Sequence, residues 1–175
     1  FAATAWTLVH LLQRPALLEA VRSGDTDLLD RCAHESIRLR QRSIVLRMIL
    51  RPTVVEDEKT AYRLAPGCFL ATMMSATNTT ALPGLDVFDV DHYRGRAFAR
   101  ARELSERELV TTFGHGRHSC PAQGFSISAI RHSVLRLVQN FELEPLFAGP
   151  QPLRRQIGGV ARADRPCRVR YARRY

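Results

Sequence analysis

Lysine is nearly missing from this chain. Its 175 residues hold 26 basic side chains against 17 acidic ones, a formal net charge of +9, yet Lys59 is the only lysine. An arginine surplus suits nucleic acid, an acidic partner protein, or merely an arginine-favouring genome. Aromatics are also scarce, at 7%. No nucleic-acid-binding motif is present, which argues against a nucleic-acid partner. Much of the surplus lies in residues 154–174, as a solvated tail or a basic face for an acidic protein. The four cysteines, Cys32, Cys68, Cys120 and Cys167, lack C-x-x-C spacing. That excludes the usual zinc sites, and a chain of this size needs no disulfide framework. Cys32, Cys68 and Cys167 read as small buried thiols. No apolar run approaches the ~20 residues of a membrane span, and no secretory signal is visible. The chain opens on Phe1 inside an apolar helical pattern, so a piece of something longer is expected, with any anchor or targeting signal upstream.

What is present suits one globular domain, with 45% hydrophobic residues and enough length for a sizeable core. Residues 1–12 are mostly apolar, with Trp6, Val9 and His10 at helical spacing. Pro15 suits the first turn of a second helix, over residues 16–22, which Ser23-Gly24-Asp25 stops. Asp25 or Thr26 caps a third helix, with Leu28, Leu29, Cys32, Ala33, Ile37 and Leu39 apolar. Residues 44–46, 53–55 and 68–73 read as strands of one small sheet, parted by Arg51-Pro52 and Ala65-Pro66-Gly67. Residues 78–91 read as an irregular meander, and 91–108 as loop with a helical fragment. Ile127, Ile130, Val134, Leu137, Val138 and Phe141 repeat at three and four, predicting a long helix ended by Pro145, Pro150 and Pro152. Gly158-Gly159, with the segments around Val160 and Val169, suggests a terminal hairpin. The fold class is mainly α with a small β-sheet (α+β).

The chemistry concentrates before that long helix, in TTFGHGRHSCPAQG from Thr111. A helix starting near Pro121 would offer unpaired N–H groups and a positive dipole end to a Cys120 thiolate. Gly114 and Gly116 let the backbone turn sharply and approach a flat partner. Phe113 would cover the sulfur, and Arg117 and His118 set positive charge beside it. A soft anionic ligand, an apolar cover and nearby cations suit a haem, whose carboxylates the cations would take.

These residues carry a resemblance. Phe113-Gly114-His115-Gly116-Arg117-His118-Ser119-Cys120-Pro121-Ala122 resembles the cysteine-ligand loop of the cytochromes P450, Phe-x-x-Gly-x-[Arg or His]-x-Cys-x-[Gly or Ala]. By position, Cys120 is then the axial ligand of haem iron. His118 stands where an arginine usually binds a propionate, and Ala122 replaces a usual glycine. Glu35-Ser36-Ile37-Arg38 resembles the family's Glu-x-x-Arg motif. Phe88-Asp89-Val90-Asp91-His92-Tyr93 fills the place of Phe-x-Pro-x-Arg-Phe, with His92 for arginine. The implied structural network is Glu35, Arg38 and His92. Arg47 aligns with a propionate-binding arginine, and Arg51 is its rival. Residues 1–21 resemble the second half of the long helix that crosses the haem. Thr4-Ala5-Trp6-Thr7-Leu8 is similar to the sterol-hydroxylase and prostacyclin-synthase branch, while the histidine at 118 is common in soluble bacterial members.

The resemblance implies that residues 1–175 are the carboxyl-terminal part of a single P450 domain, truncated within that helix. It implies a haem (iron protoporphyrin IX) monooxygenase, activating O2 and placing one oxygen atom in an apolar substrate. NAD(P)H would supply electrons through a ferredoxin or flavoprotein reductase on the basic proximal face. Two alternatives stay open: a peroxygenase or isomerase needing no reductase, and a non-catalytic haem-binding fragment. A soluble bacterial type would be cytoplasmic; membrane association is open.

Overall fold

The computed structural model describes residues 1–96 and 110–174. Three helices come first: α1 (Ala2–Leu12), α2 (Pro15–Arg22) and α3 (Thr26–Arg40). Pro15 opens α2, where its missing N–H costs no helical bond. Asp25 caps α3 by accepting the Leu28 N–H at 2.9 Å, an arrangement worth about 1 kcal/mol. Four strands follow, β1 (Ile44–Met48), β2 (Thr53–Glu56), β3 (Ala61–Leu64) and β4 (Phe69–Met73). Next come α4 (Met74–Thr80) and a 3-10 segment, Val90–Arg96. Beyond the cysteine loop lie α5 (Gln123–Asn140), β5 (Phe141–Pro145) and β6 (Val169–Arg173).

The core joins α1, α2, α3 and α5. Leu11, Val21, Leu29, Cys32, Val134 and Val138 are all fully buried in it. On α5 the buried stripe is Ile127, Ile130, Val134 and Val138, the three-and-four repeat read from sequence. Leu137, at the edge of that stripe, is 38% exposed. A second clasp ties α1 to the tail: the Trp6 indole N–H donates to the Ala161 carbonyl at 2.6 Å.

Several local expectations need correction. The strands form separate antiparallel pairs, β1–β4, β2–β3 and β5–β6, not one sheet. The strand β3 and the helix α4 carry too short and too polar a pattern to show any periodicity. The last long helix stops at Asn140, before any proline, because Phe141 is already extended at φ −133° and begins β5. Its partner β6 comes from the tail, with Leu143 opposite Tyr171. Val160 bridges to Gln41 instead of to residue 169. Of the three cysteines read as buried, Cys32 is buried, Cys167 partly so, and Cys68 exposed. The helical fragment expected within 91–108 begins as the 3-10 segment; residues 97–109 lie outside the described residues.

Candidate functional site

Glu35 and Arg38 sit one helical turn apart on α3, and both are fully buried. Arg38 holds Glu35 by two bonds, Nε to Oε2 at 2.7 Å and Nη2 to Oε1 at 2.6 Å. The guanidinium also donates to the carbonyls of Asn78, Leu85 (2.6 Å) and Val87 (3.2 Å). Glu35 Oε1 accepts the Asp89 N–H at 3.0 Å and lies 3.0 Å from His92 Nδ1. One buried ion pair thus organises the backbone of residues 78–92. Its burial is compatible with charge because the pair's hydrogen-bonding groups are met from several sides.

The same helix braces the cysteine loop. His34, beside Glu35, approaches the Thr112 hydroxyl at 3.3 Å, stacks on Tyr93 at 5.1 Å and meets Phe113 edge-on at 5.8 Å. Burial pushes the His34 pKa down. Burial, with the Glu35 charge second, pushes the Tyr93 phenol up. Gln41 donates to the Thr112 carbonyl at 3.1 Å. The loop then turns at Gly114, φ +79°, where an added Cβ would stand 3.0 Å from the His118 carbonyl oxygen. The Cys120 N–H closes the turn onto the Phe113 carbonyl at 2.7 Å.

Cys120 stands ahead of the last long helix, as the sequence reading placed it, but that helix begins two residues later than Pro121. Gln123 begins α5, and its N–H donates to the Cys120 carbonyl at 3.2 Å. Pro121 and Ala122 form an intervening turn. The partly exposed Cys120 contrasts with Cys32, whose thiol burial drives up to about 12.

A cleft of about 560 Å³ lies between β1 and this loop. Arg47, Gly114, His115 and His118 line it together with Ile44, Val45, Leu46 and Met74. Two predicted cofactor residues far apart in sequence, Arg47 and His118, therefore line the same cleft. Phe113, Gly116, Arg51 and Cys120 do not line the cleft; Phe113 packs against the helical core instead. His34, Asn78, Tyr93 and Thr112 escaped the sequence reading. The adjacency of His34 to the Glu-x-x-Arg motif was a signal for the first.

A model of the cytochrome P450 family matches residues 2–170. The chain belongs to the cytochrome P450 family. It is 27% identical to a sterol 14alpha-demethylase of Mycolicibacterium vanbaalenii, over 98% of this chain and 41% of that protein. It is 26% identical to the cytochrome P450 monooxygenase cdmJ of Talaromyces verruculosus, over 95% and 36%. A cytochrome P450 monooxygenase of Gibberella zeae is 23% identical over 81% and 32%. The chain thus spans about two fifths or less of these relatives' lengths, in keeping with the carboxyl-terminal portion of a P450 fold.

The family implies a haem, and the residues around the cleft fit one. The wall is apolar along β1, the loop backbone at Gly114 is bare, and the Arg47 guanidinium and the His118 imidazole would offer hydrogen-bond donors to two carboxylates. A partly exposed thiol stands two residues beyond His118. Among the described residues, no helix is long and apolar enough to cross a membrane.

Proposed function

We propose that this chain is the proximal, cofactor-holding part of a haem-thiolate monooxygenase that places one oxygen atom from O2 into an apolar substrate. The observation that carries this reading is one cleft lined by Arg47 on β1 and by Gly114 and His118 on the loop that leads to Cys120. In this reading Cys120 would supply the thiolate that holds the iron, and Arg47 and His118 would bind the propionates. Gly114 keeps a side chain off the face of the ring, and Gly116 turns the loop. The bound haem supplies the redox chemistry and oxygen activation, which a thiolate ligand favours. The chain orients it. Glu35, Arg38 and His92 fix residues 78–92, and His34 with Gln41 fixes the start of the loop.

Electrons would come from NAD(P)H through an acidic ferredoxin or flavoprotein, steered by exposed arginines near Cys120, Arg117 among them. Exposed apolar side chains on β1 and β4, such as Leu46 at 56% and Phe69 at 65%, support further chain covering this face in the whole protein. The substrate would sit against chain outside these residues. The soluble bacterial type of the family is cytoplasmic, and that location belongs to the same proposal.

The test is the carbon monoxide difference spectrum of the reduced full-length protein. We expect the long-wavelength Soret band of thiolate-ligated haem. Cys120→Ala should abolish it and Cys32→Ala should keep it. A band that survives Cys120→Ala, or vanishes only with Cys32→Ala, overturns the assignment. NAD(P)H consumption with a ferredoxin or flavoprotein present separates the monooxygenase from a peroxygenase or isomerase.

A further inference from the structure

Asn78 is fully buried on α4 and couples two parts of the site that share no covalent neighbourhood. Its Oδ1 accepts the Thr111 N–H at 2.9 Å. Its Nδ2 donates to the Thr111 carbonyl at 2.8 Å and to the Arg38 carbonyl at 3.3 Å. The Arg38 guanidinium donates in return to the carbonyl of Asn78 itself. The amide therefore mimics a neighbouring strand for Thr111. Its orientation is fixed, since a flipped amide would set N–H against N–H and oxygen against oxygen.

Thr111 is the root of the cysteine loop. Its hydroxyl accepts the Gly114 N–H at 2.8 Å, and the Phe113 carbonyl, between them, takes the Cys120 N–H. Four hydrogen-bonded steps thus run from the buried Arg38 to the backbone of Cys120, by way of Asn78, Thr111 and the adjoining Gly114 and Phe113, and Asn78 takes part in the first two. A buried amide without its partners would face a full desolvation cost, so the clamp has one low-energy arrangement.

We propose that Asn78 is a positioning residue for the cysteine thiolate, setting the loop's register against the Glu35–Arg38 pair. This rests on the reading of Cys120 as the haem ligand. An amide that only stabilised the fold would alter unfolding and leave the iron's ligation alone. One that places the loop alters the ligation itself.

The experiment compares the full-length haem protein with Asn78→Ala, Asn78→Asp and, as a control on the same helix, Thr80→Ala. The aspartate keeps the shape and the acceptor for Thr111 but loses both donors. Thr80 is exposed, and among the described residues its hydroxyl bonds within its own helix, to the Ala76 carbonyl at 3.0 Å. Haem content, the thiolate share of the carbon monoxide spectrum and the midpoint potential are measured on each folded, loaded protein. The ratio of thiolate-type to displaced-ligand signal is expected to fall roughly 10-fold in the Asn78 variants, as for other outer partners of metal ligands. Thr80→Ala should match wild type. Asn78 variants with wild-type thiolate share and potential, and only a lowered unfolding midpoint, overturn the inference. A wild-type protein without the thiolate band instead overturns the Cys120 reading, and the inference falls with it. If neither variant takes up haem, hydrogen exchange on the wild type decides. Exchange of the Thr111 and Cys120 amides as one unit with α3 supports the clamp, and faster independent opening of the loop overturns it.

Discussion

Arg38 grips Glu35 through two parallel hydrogen bonds, 2.7 and 2.6 Å long, with neither side chain reaching solvent. The i,i+3 spacing that is worth a few tenths of a kcal/mol on an exposed helix here serves a different purpose. It fastens three carbonyls and one N–H of the following segment to a single helix.

Arg38→Met should therefore destabilise the chain far more than loss of a surface pair. It leaves a carboxylate buried without its main partner and three carbonyls without a donor. The expected loss is roughly 3–5 kcal/mol, read from urea unfolding. A loss under about 1 kcal/mol would put the pair in the class of exposed ion pairs.

His10 makes the stability depend on pH. The ring is buried, 2.8 Å from the Ser36 hydroxyl through Nδ1 and 3.2 Å from Arg40 through Nε2. Arg40 only donates, so Nε2 accepts and the proton resides on Nδ1. Burial, then the charges of Arg40 and Arg14, depress the pKa from 6.5 to about 3. As pH falls below 6.5 the unfolded chain takes up a proton that the folded ring refuses. Stability that is full above 6.5 is therefore lost progressively toward 3, at roughly 1.4 kcal/mol per pH unit. Between pH 7 and pH 5 the wild type should lose roughly 2 kcal/mol more than His10→Gln. Parallel pH profiles for the two proteins would refute the assignment. His34, whose pKa burial also lowers, contributes in the same direction to both and cancels in the comparison.

The helices were legible because burial imposes a period. The stripe on α5 and the buried side of α3 follow from spacing alone. The Glu35–Arg38 pair and the cysteine loop were legible because their residue types sit at fixed short intervals. What sequence left hidden is what depends on contacts between distant segments. β5 and β6 pair across more than twenty residues, and neither Phe141 nor Val169 announces its partner. α4 spans only seven residues, and the side chain on it that bonds Thr111, Asn78, is a residue type usually read as a turn former. The start of the last helix was read two residues early, at Pro121, because the turn of Pro121 and Ala122 leaves no mark in the spacing of the apolar residues.

Gly114 and Gly116 separate two effects that a glycine can hide. Both have positive φ, +79° and +57°, where an L residue is strained. An added methyl at Gly116 meets open space, but at Gly114 it stands 3.0 Å from the His118 carbonyl. That oxygen is backbone and belongs to the loop that leads to Cys120, so it cannot move aside without moving the loop. Gly116→Ala should cost about 1–2 kcal/mol from strain alone, with little change in haem uptake. Gly114→Ala should cost more and also lower the fraction of protein that takes up haem. The measurement is thermal unfolding of both variants, with haem titration of each. Equal effects at the two positions would mean that backbone conformation alone matters. The contact between Gly114 and His118 would then have no part in shaping the site.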